Sequence, residues 1–216
     1  WQRGLIQRPG RLVLVQTVIA AKPVHHFMIT DAPHWVFEEI DKWMRSFFWA
    51  GKDKVNGGQC LVGWDTICRP KCYGGLGVKN MRLHALALRV RWEWLKRTEP
   101  QRPWQGLQMV DNPEARAMCG SLVGIKVGSG TKVLFWRDRW LHGFAVADIA
   151  PLILGSVTPR DVNNRTVQQA LNDDSWLLDV QENPSFMAQI QLMHLCHAIN
   201  TVERDPTQPD SFTWPI

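Results

Sequence analysis

The sequence predicts a mainly helical α+β protein, with a helical first half carrying a short strand or loop insertion, then a β-hairpin and short helices. Three observations predict it. Apolar residues recur at helical spacing, with start and stop signals, over residues 31–51 and 80–97. A Gly128-Ser129-Gly130 turn separates two short apolar runs, which is a hairpin signal. Beyond Leu141 the apolar residues form short islands broken by Pro151, Pro159 and Asn163-Asn164, too brief for long elements.

Taken in order, Leu14, Val15, Val18 and Ile19 predict a helix from Arg11 to Ala21, which Pro23 ends or kinks. Asp31 is placed to cap the next helix, Pro33 lies in its first turn and Gly51 stands just past its end. Val36, Ile40, Trp43, Met44, Phe47 and Phe48 make its apolar face, opposite Glu38, Glu39, Asp41, Lys42 and Arg45. After a turn at Asn56-Gly57-Gly58, residues 59–68 read as a strand or extended segment stopped by Pro70. Gly74-Gly75-Leu76-Gly77 makes a loop, and Asn80 caps a third helix reaching about Arg97.

On a 100° wheel that third helix is apolar on two sides. Leu83, Leu86, Ala87, Val90 and Trp94 share one face, and Met81, Ala85, Leu88, Trp92 and Leu95 share the other. This predicts a helix sandwiched between layers, with Arg82, Arg89 and Lys96 lined up at i, i+7 and i+14 in the gap. Pro100 and Pro103 open an irregular stretch to about Ala117. Short helices are predicted near Val167–Leu171 and over 185–200, and the tail from Asp205 reads as loop. The expected organisation is a helical region over 1–106, a linker over 107–122, a second region over 123–204 and a tail over 205–216.

The 216 residues suit one sizeable domain or two small ones. No run approaches the roughly 18 apolar residues of a membrane span, and Leu12–Ala21 is too short to be one. Five cysteines, an odd and sparse set, fit reduced thiols and an intracellular setting, nucleus or cytoplasm. The chain starts at Trp1 and ends at Trp214-Pro215-Ile216, so a longer parent polypeptide is expected. Residues 1–110 hold 17 Lys/Arg against 8 Asp/Glu, a net of +9, and the remainder is net −4. A basic half suits an anionic partner, nucleic acid above all. The same charge also fits a merely solvated surface.

Other constellations are incomplete. Cys60, Cys68, Cys72 and His84 lack the paired spacing of a tetrahedral zinc site, as does His194-Leu195-Cys196-His197. The glycine cluster at 74–77 lacks the Lys-Ser/Thr of a phosphate loop. No nucleophile–base pair stands out, so no catalytic residue, metal, cofactor or small-molecule substrate is assigned. The basic stripe remains: Arg82, Arg89 and Lys96, joined by Arg69, Lys71 and Lys79, could follow a phosphate backbone without reading bases. The competing reading is a solvated helix face.

Several phrases in order carry a family resemblance. They are Gly10-Arg11-Leu12 with LVQTV, Pro33-His34-Trp35-Val36 with EEIDKWMRSFFWAGK, and Gly57-Gly58 with CLVGWDTICRPK. Gly74-Gly75-Leu76-Gly77-Val78 with KNMRLHALALRVRWEWL, Arg102-Pro103-Trp104 and FWRDRWL follow. Together they resemble the region downstream of the palm in plant LINE-type reverse transcriptases, the enzymes of non-LTR retrotransposons. The agreement is dense over 9–106 and thinner over 124–180.

The resemblance implies a thumb-like part packing on an RNA/DNA template-primer duplex, then a connection region. A Cys/His-rich zinc-binding region would begin near or after Trp214. It also implies that catalysis belongs to a palm outside this chain, where aspartates in an aromatic-x-Asp-Asp turn hold magnesium. Asp173-Asp174 is preceded by Leu171-Asn172, lacks the aromatic residue and follows a helical pattern, so it reads as a solvated helix end. The chain alone is therefore expected to be non-catalytic, with the palm and the duplex as partners and no membrane. The rival expectation is a degenerate retroelement remnant acting as a protein–protein interaction module.

Overall fold

Helix α1 (Arg8–Leu14) begins with Pro9 in its first turn, where a missing N–H costs nothing. It runs into a π-helical turn, Val15–Ile19, in which the Ala20 N–H reaches the Val15 carbonyl at 2.9 Å. The five-residue spacing brings Val15 and Ala20 to the same side, and both are fully buried. After the break at Pro23 the chain re-enters a helix as α2 (Val24–Ile29). In the computed structural model residues 5–99, 101–103, 112–180 and 184–214 are described. The chain divides into two units, Trp1–Arg116 and Ala117–Ile216. The mainly helical α+β class holds for the chain, and both strands among the described residues lie in the second unit.

In the first unit α3 (His34–Ala50) starts at Pro33 and ends at Gly51, whose φ of +63° suits glycine. A Cβ on Gly51 would lie 2.7 Å from Cζ of Arg11. That guanidinium donates to the Ile6 and Trp49 carbonyls, placing a cation at the C-terminal end of α3. Asp31, expected as the cap of α3, is an ion-pair partner of Arg89 instead. Of the strand or extended segment expected over 59–68, no strand forms, and Cys60 is extended between two helical turns. Gly57–Gln59 is a 3₁₀ turn and Trp64–Cys68 is a helix, α4. The reason is spacing: Trp64 and Ile67, three apart, both enter the core, whereas Leu61 and Val62 stay exposed.

Helix α5 (Met81–Thr98) is capped by Asn80, whose Oδ1 accepts the Leu83 N–H at 3.1 Å. It buries Met81, Ala85, Val90 and Trp92. The expected sandwich is only half present, since Leu83 is 64% exposed and Ala87 is exposed beside it. The core of this unit gathers Val15, Phe27, Met44, Phe48, Ile67 and Met81. The helical stretch Arg8–Ile29, at 22 residues, is long and apolar enough to cross a membrane by length and composition, which corrects the expectation that no run comes close. Val15, Ala20 and Phe27 of that stretch nonetheless lie in the unit's own core.

Of the expected linker, residues 107–111 lie outside the described residues, as does Trp104 of the Arg102-Pro103-Trp104 phrase. Residues 113–122 are helical, α6 (Pro113–Leu122). In the second unit β1 (Gly124–Lys126) pairs antiparallel with β2 (Ser211–Thr213), with Ile125 opposite Phe212. The hairpin expected over 123–136 is therefore replaced by a pairing with the tail, which is not loop throughout. Gly128-Ser129-Gly130 serves a different purpose. A Cβ on Gly128 would lie 2.7 Å from the Pro209 carbonyl oxygen, and the Asp210 carboxylate accepts the N–H groups of Gly128, Gly130 and Lys132. Close approach to the tail, rather than chain reversal, demands the glycine.

In the rest of this unit α7 (Val146–Ile149), α8 (Pro151–Leu154) and α9 (Pro159–Asn164) occupy apolar islands to which the sequence assigned no element. Helices α10 (Val167–Leu171) and α11 (Phe186–Thr201) fall where helices were expected, α11 being long at 16 residues. Capping is local and legible, with Thr166 and Gln169 forming a reciprocal box on α10 and Ser185 capping α11. Phe135, Trp136, Trp140 and Trp176 form the centre, their ring centroids 4.8–6.1 Å apart. Each such ring, once buried, contributes about 2–3 kcal/mol.

Candidate nucleic-acid interface

The candidate surface lies in the first unit and is built on a chain knot that precedes α5. After α4 the chain turns at Pro70, makes a 3₁₀ turn over Lys71–Tyr73 and doubles back through Gly74, Gly75 and Gly77. Three backbone hydrogen bonds close it: Gly75 N–H to Pro70 O at 3.2 Å, Leu76 N–H to Ile67 O at 3.0 Å, and Gly77 N–H to Arg69 O at 3.0 Å. Gln16, from the π-helical turn, donates to the Leu76 carbonyl at 2.7 Å and pins the knot to the core. With its backbone turned inward, the knot points its side chains out. Arg69, Lys71 and Tyr73 are exposed, as are Lys79 and Arg82 at the entry to α5.

Of the sequence-predicted residues, Arg69, Lys71, Lys79 and Arg82 thus share one segment around the start of α5. Arg89 does not join them. Its side chain is only 13% exposed; it donates to the Phe27 and Thr30 carbonyls and pairs with Asp31 at 2.5 Å. It ties the C-terminal end of α2 to α5, where a cation complements the helix dipole. Lys96 pairs with Glu93 at 3.1 Å, one turn back on the same helix. The straight three-cation track that the wheel suggests is therefore absent. One helix face cannot reveal that a carboxylate 58 residues away claims its central arginine.

The cysteines and histidines nearby do not converge. Among the described residues no three His, Cys, Asp or Glu side chains are grouped to hold a metal ion. His84 has its pKa lowered, first by burial and then by the charge of Lys79. The Cys68 thiol is pushed up to about 12, chiefly by burial and further by the negative charges of Asp41 and Asp65. Asp41 is itself raised by burial, only partly offset by the Trp64 indole N–H, which lies beside it outside ordinary hydrogen-bond geometry, and by Arg45.

Because the thiolate is the nucleophile, Cys68 should remain unmodified by iodoacetamide at about pH 8 in the folded protein, while exposed Cys72 is alkylated. Peptide mapping after native labelling checks this; modification of both at equal rates would contradict it. In the second unit Asp173 and Asp174 are exposed just past α10, both with left-handed backbone, φ +52° and +48°. They lie in the 3₁₀ stretch Asn172–Asp179 and not on a strand.

The surface found only in the structure is a groove of about 770 Å³ between the π-helical turn and α3, with Val18, Ile40 and Phe47 on its walls. Trp43 lines it and is 63% exposed, although helical spacing assigns it to the core face of α3.

A protein of Arabidopsis thaliana named "Putative ribonuclease H protein" is 27% identical to this chain over 168 residues. The aligned part covers 66% of this chain and 27% of that protein, so the chain spans well under two thirds of its relative. No family model matches the sequence. No solved structure matches it either.

Proposed function

We propose that this chain is the thumb and connection part of a LINE-type reverse transcriptase and positions an RNA/DNA template-primer duplex by contacts to its phosphate backbone. The observation that carries the reading is the group of four exposed cations, Arg69, Lys71, Lys79 and Arg82, displayed by the closed knot and the first turn of α5. They lie in the half of the chain whose net charge is +9. Point charges on a rigid loop neutralise phosphates and release counterions without distinguishing bases, so weak sequence preference is expected. The ordered phrases over 9–106 and the similarity to a plant protein named for ribonuclease H both fit a retroelement origin. Nucleotidyl transfer and its magnesium belong in this reading to a palm outside the chain.

Filter binding of the full chain to an RNA/DNA primer-template at several salt concentrations tests it. Reversal of all four cations to Glu should weaken binding more than roughly tenfold at low salt. It should also flatten the log–log salt slope by roughly 3.6, at about 0.9 for each of four phosphates that are no longer neutralised. An unchanged slope would remove these residues from the interface. Absence of salt-sensitive binding by the native chain would favour the protein–protein reading, for which the exposed Leu178, Phe186 and Met193 of the second unit supply apolar surface.

A further inference from the structure

The groove between the π-helical turn and α3 carries chemistry that a duplex-tracking surface does not use. We propose that it takes an unstacked base of a single-stranded polynucleotide, with Trp43 as the stacking platform and Lys22 and Lys52 on the flanking phosphates. The inference rests on the reading of the chain as a nucleic-acid binder and extends it from duplex to unpaired strand.

Four observations converge. Trp43, like Trp35 about two turns earlier on α3, is exposed although Met44, Phe47 and Phe48 beside it are buried, and of the two exposed tryptophans it is Trp43 that lines the groove. The groove's volume of about 770 Å³ falls within the roughly 300–1,000 Å³ of pockets that enclose small molecules. Its walls are apolar, whereas its rim bears Lys22 and Lys52, both exposed and in no ion pair among the described residues, with Asp53 as the one carboxylate. The wall formed by Val18 and Ile19 comes from the π-helical turn, a geometry often found at functional sites.

An aromatic face in a groove that also carries two cations suits a base with its neighbouring phosphates, because every base has a π-face and every linkage a negative charge. An apolar peptide would use the walls but would leave both lysines without a counter-charge. The π-helical turn also supplies Gln16, which pins the basic knot at Leu76. The same turn thus supports the duplex surface and one wall of the groove.

The test is fluorescence anisotropy of the full chain with labelled oligo(dT) and, separately, with a blunt RNA/DNA duplex. Trp43→Ala should weaken oligo(dT) binding by roughly tenfold or more, leave duplex affinity within about twofold, and be largely rescued in Trp43→Phe. Since Trp43 is mostly exposed, the variant should fold, which circular dichroism verifies. Wild-type affinity of Trp43→Ala for oligo(dT) would overturn the proposal. So would Trp43-dependent binding of a labelled acidic amphipathic peptide combined with no binding of oligo(dT), an outcome that makes the groove a protein-docking site. If the native chain binds duplex but not oligo(dT), the groove inference fails and the duplex reading stands. If oligo(dT) binding depends on Trp43 while reversal of the knot cations leaves duplex affinity unchanged, the duplex reading fails and the groove stands.

Discussion

Substituting Gly75 with Ala is expected to destabilise the first unit by about 3 kcal/mol, because the new methyl group meets backbone that cannot move aside. A Cβ at this position would overlap the Arg69 peptide, 2.5 Å from its carbonyl carbon and 2.7 Å from its Cβ. Relief requires the chain to part between residues 69 and 75, and parting breaks the bonds from Gly75, Leu76 and Gly77 to Pro70, Ile67 and Arg69. The neighbouring glycine gives the contrast. Gly74 has φ +77° and open space around its absent side chain, so Gly74→Ala carries only conformational strain of about 1 kcal/mol. Urea and thermal unfolding of the two variants should differ several-fold in effect, and Gly75→Ala alone should also lose duplex affinity. Equal stability of the two would mean that the knot does not close as described.

In the second unit the largest single loss is expected at Asp179. Its carboxylate is 3% exposed and accepts from Trp136 Nε1 at 2.9 Å and from Arg165 Nε at 2.9 Å, with a further short contact to Arg165 Nη2. The hydrogen bond to Asp179 raises the Arg165 pKa above its ordinary value, so the guanidinium is charged at any working pH. Asp179→Ala would strand that charge and leave the indole N–H at the centre of the aromatic cluster without an acceptor.

Removing one partner of such a pair costs about 3–5 kcal/mol, and the lower figure applies because Arg165 keeps a quarter of its surface in water. Trp136→Phe, which removes only the donor and part of the ring, should cost less than Asp179→Ala, and Asp179→Asn should fall between them. Chemical denaturation of the three variants ranks them. A wild-type midpoint for Asp179→Ala would show the pair to be peripheral to stability.

These two positions also separate what local sequence conveys from what it does not. Helices α3 and α5 were legible because their period, Gly51 and Asn80 are contained within one element. Helices α10 and α11 were legible as the segments 167–171 and 185–200, while their caps at Thr166 and Ser185 came from the structure. The mainly helical class follows from these elements. The basic residues Arg69, Lys71 and Lys79 were visible only as additions to a helix stripe of Arg82, Arg89 and Lys96.

Tertiary structure decided the remainder. The strand partner of residues 124–126 lies at 211–213, and the counter-ion of Arg89 lies at Asp31. Trp64 and Ile67 turned inward as a helix because the core between α3 and α5 could take them, while Trp43 stayed out to line a groove whose other wall comes from the π-helical turn. Caps, turns and periodicity act within about four residues along the chain, so one sequence suffices to read them. Ion pairs, strand partners and grooves depend on which distant surfaces meet, and that is settled only when the whole unit competes for the same buried volume.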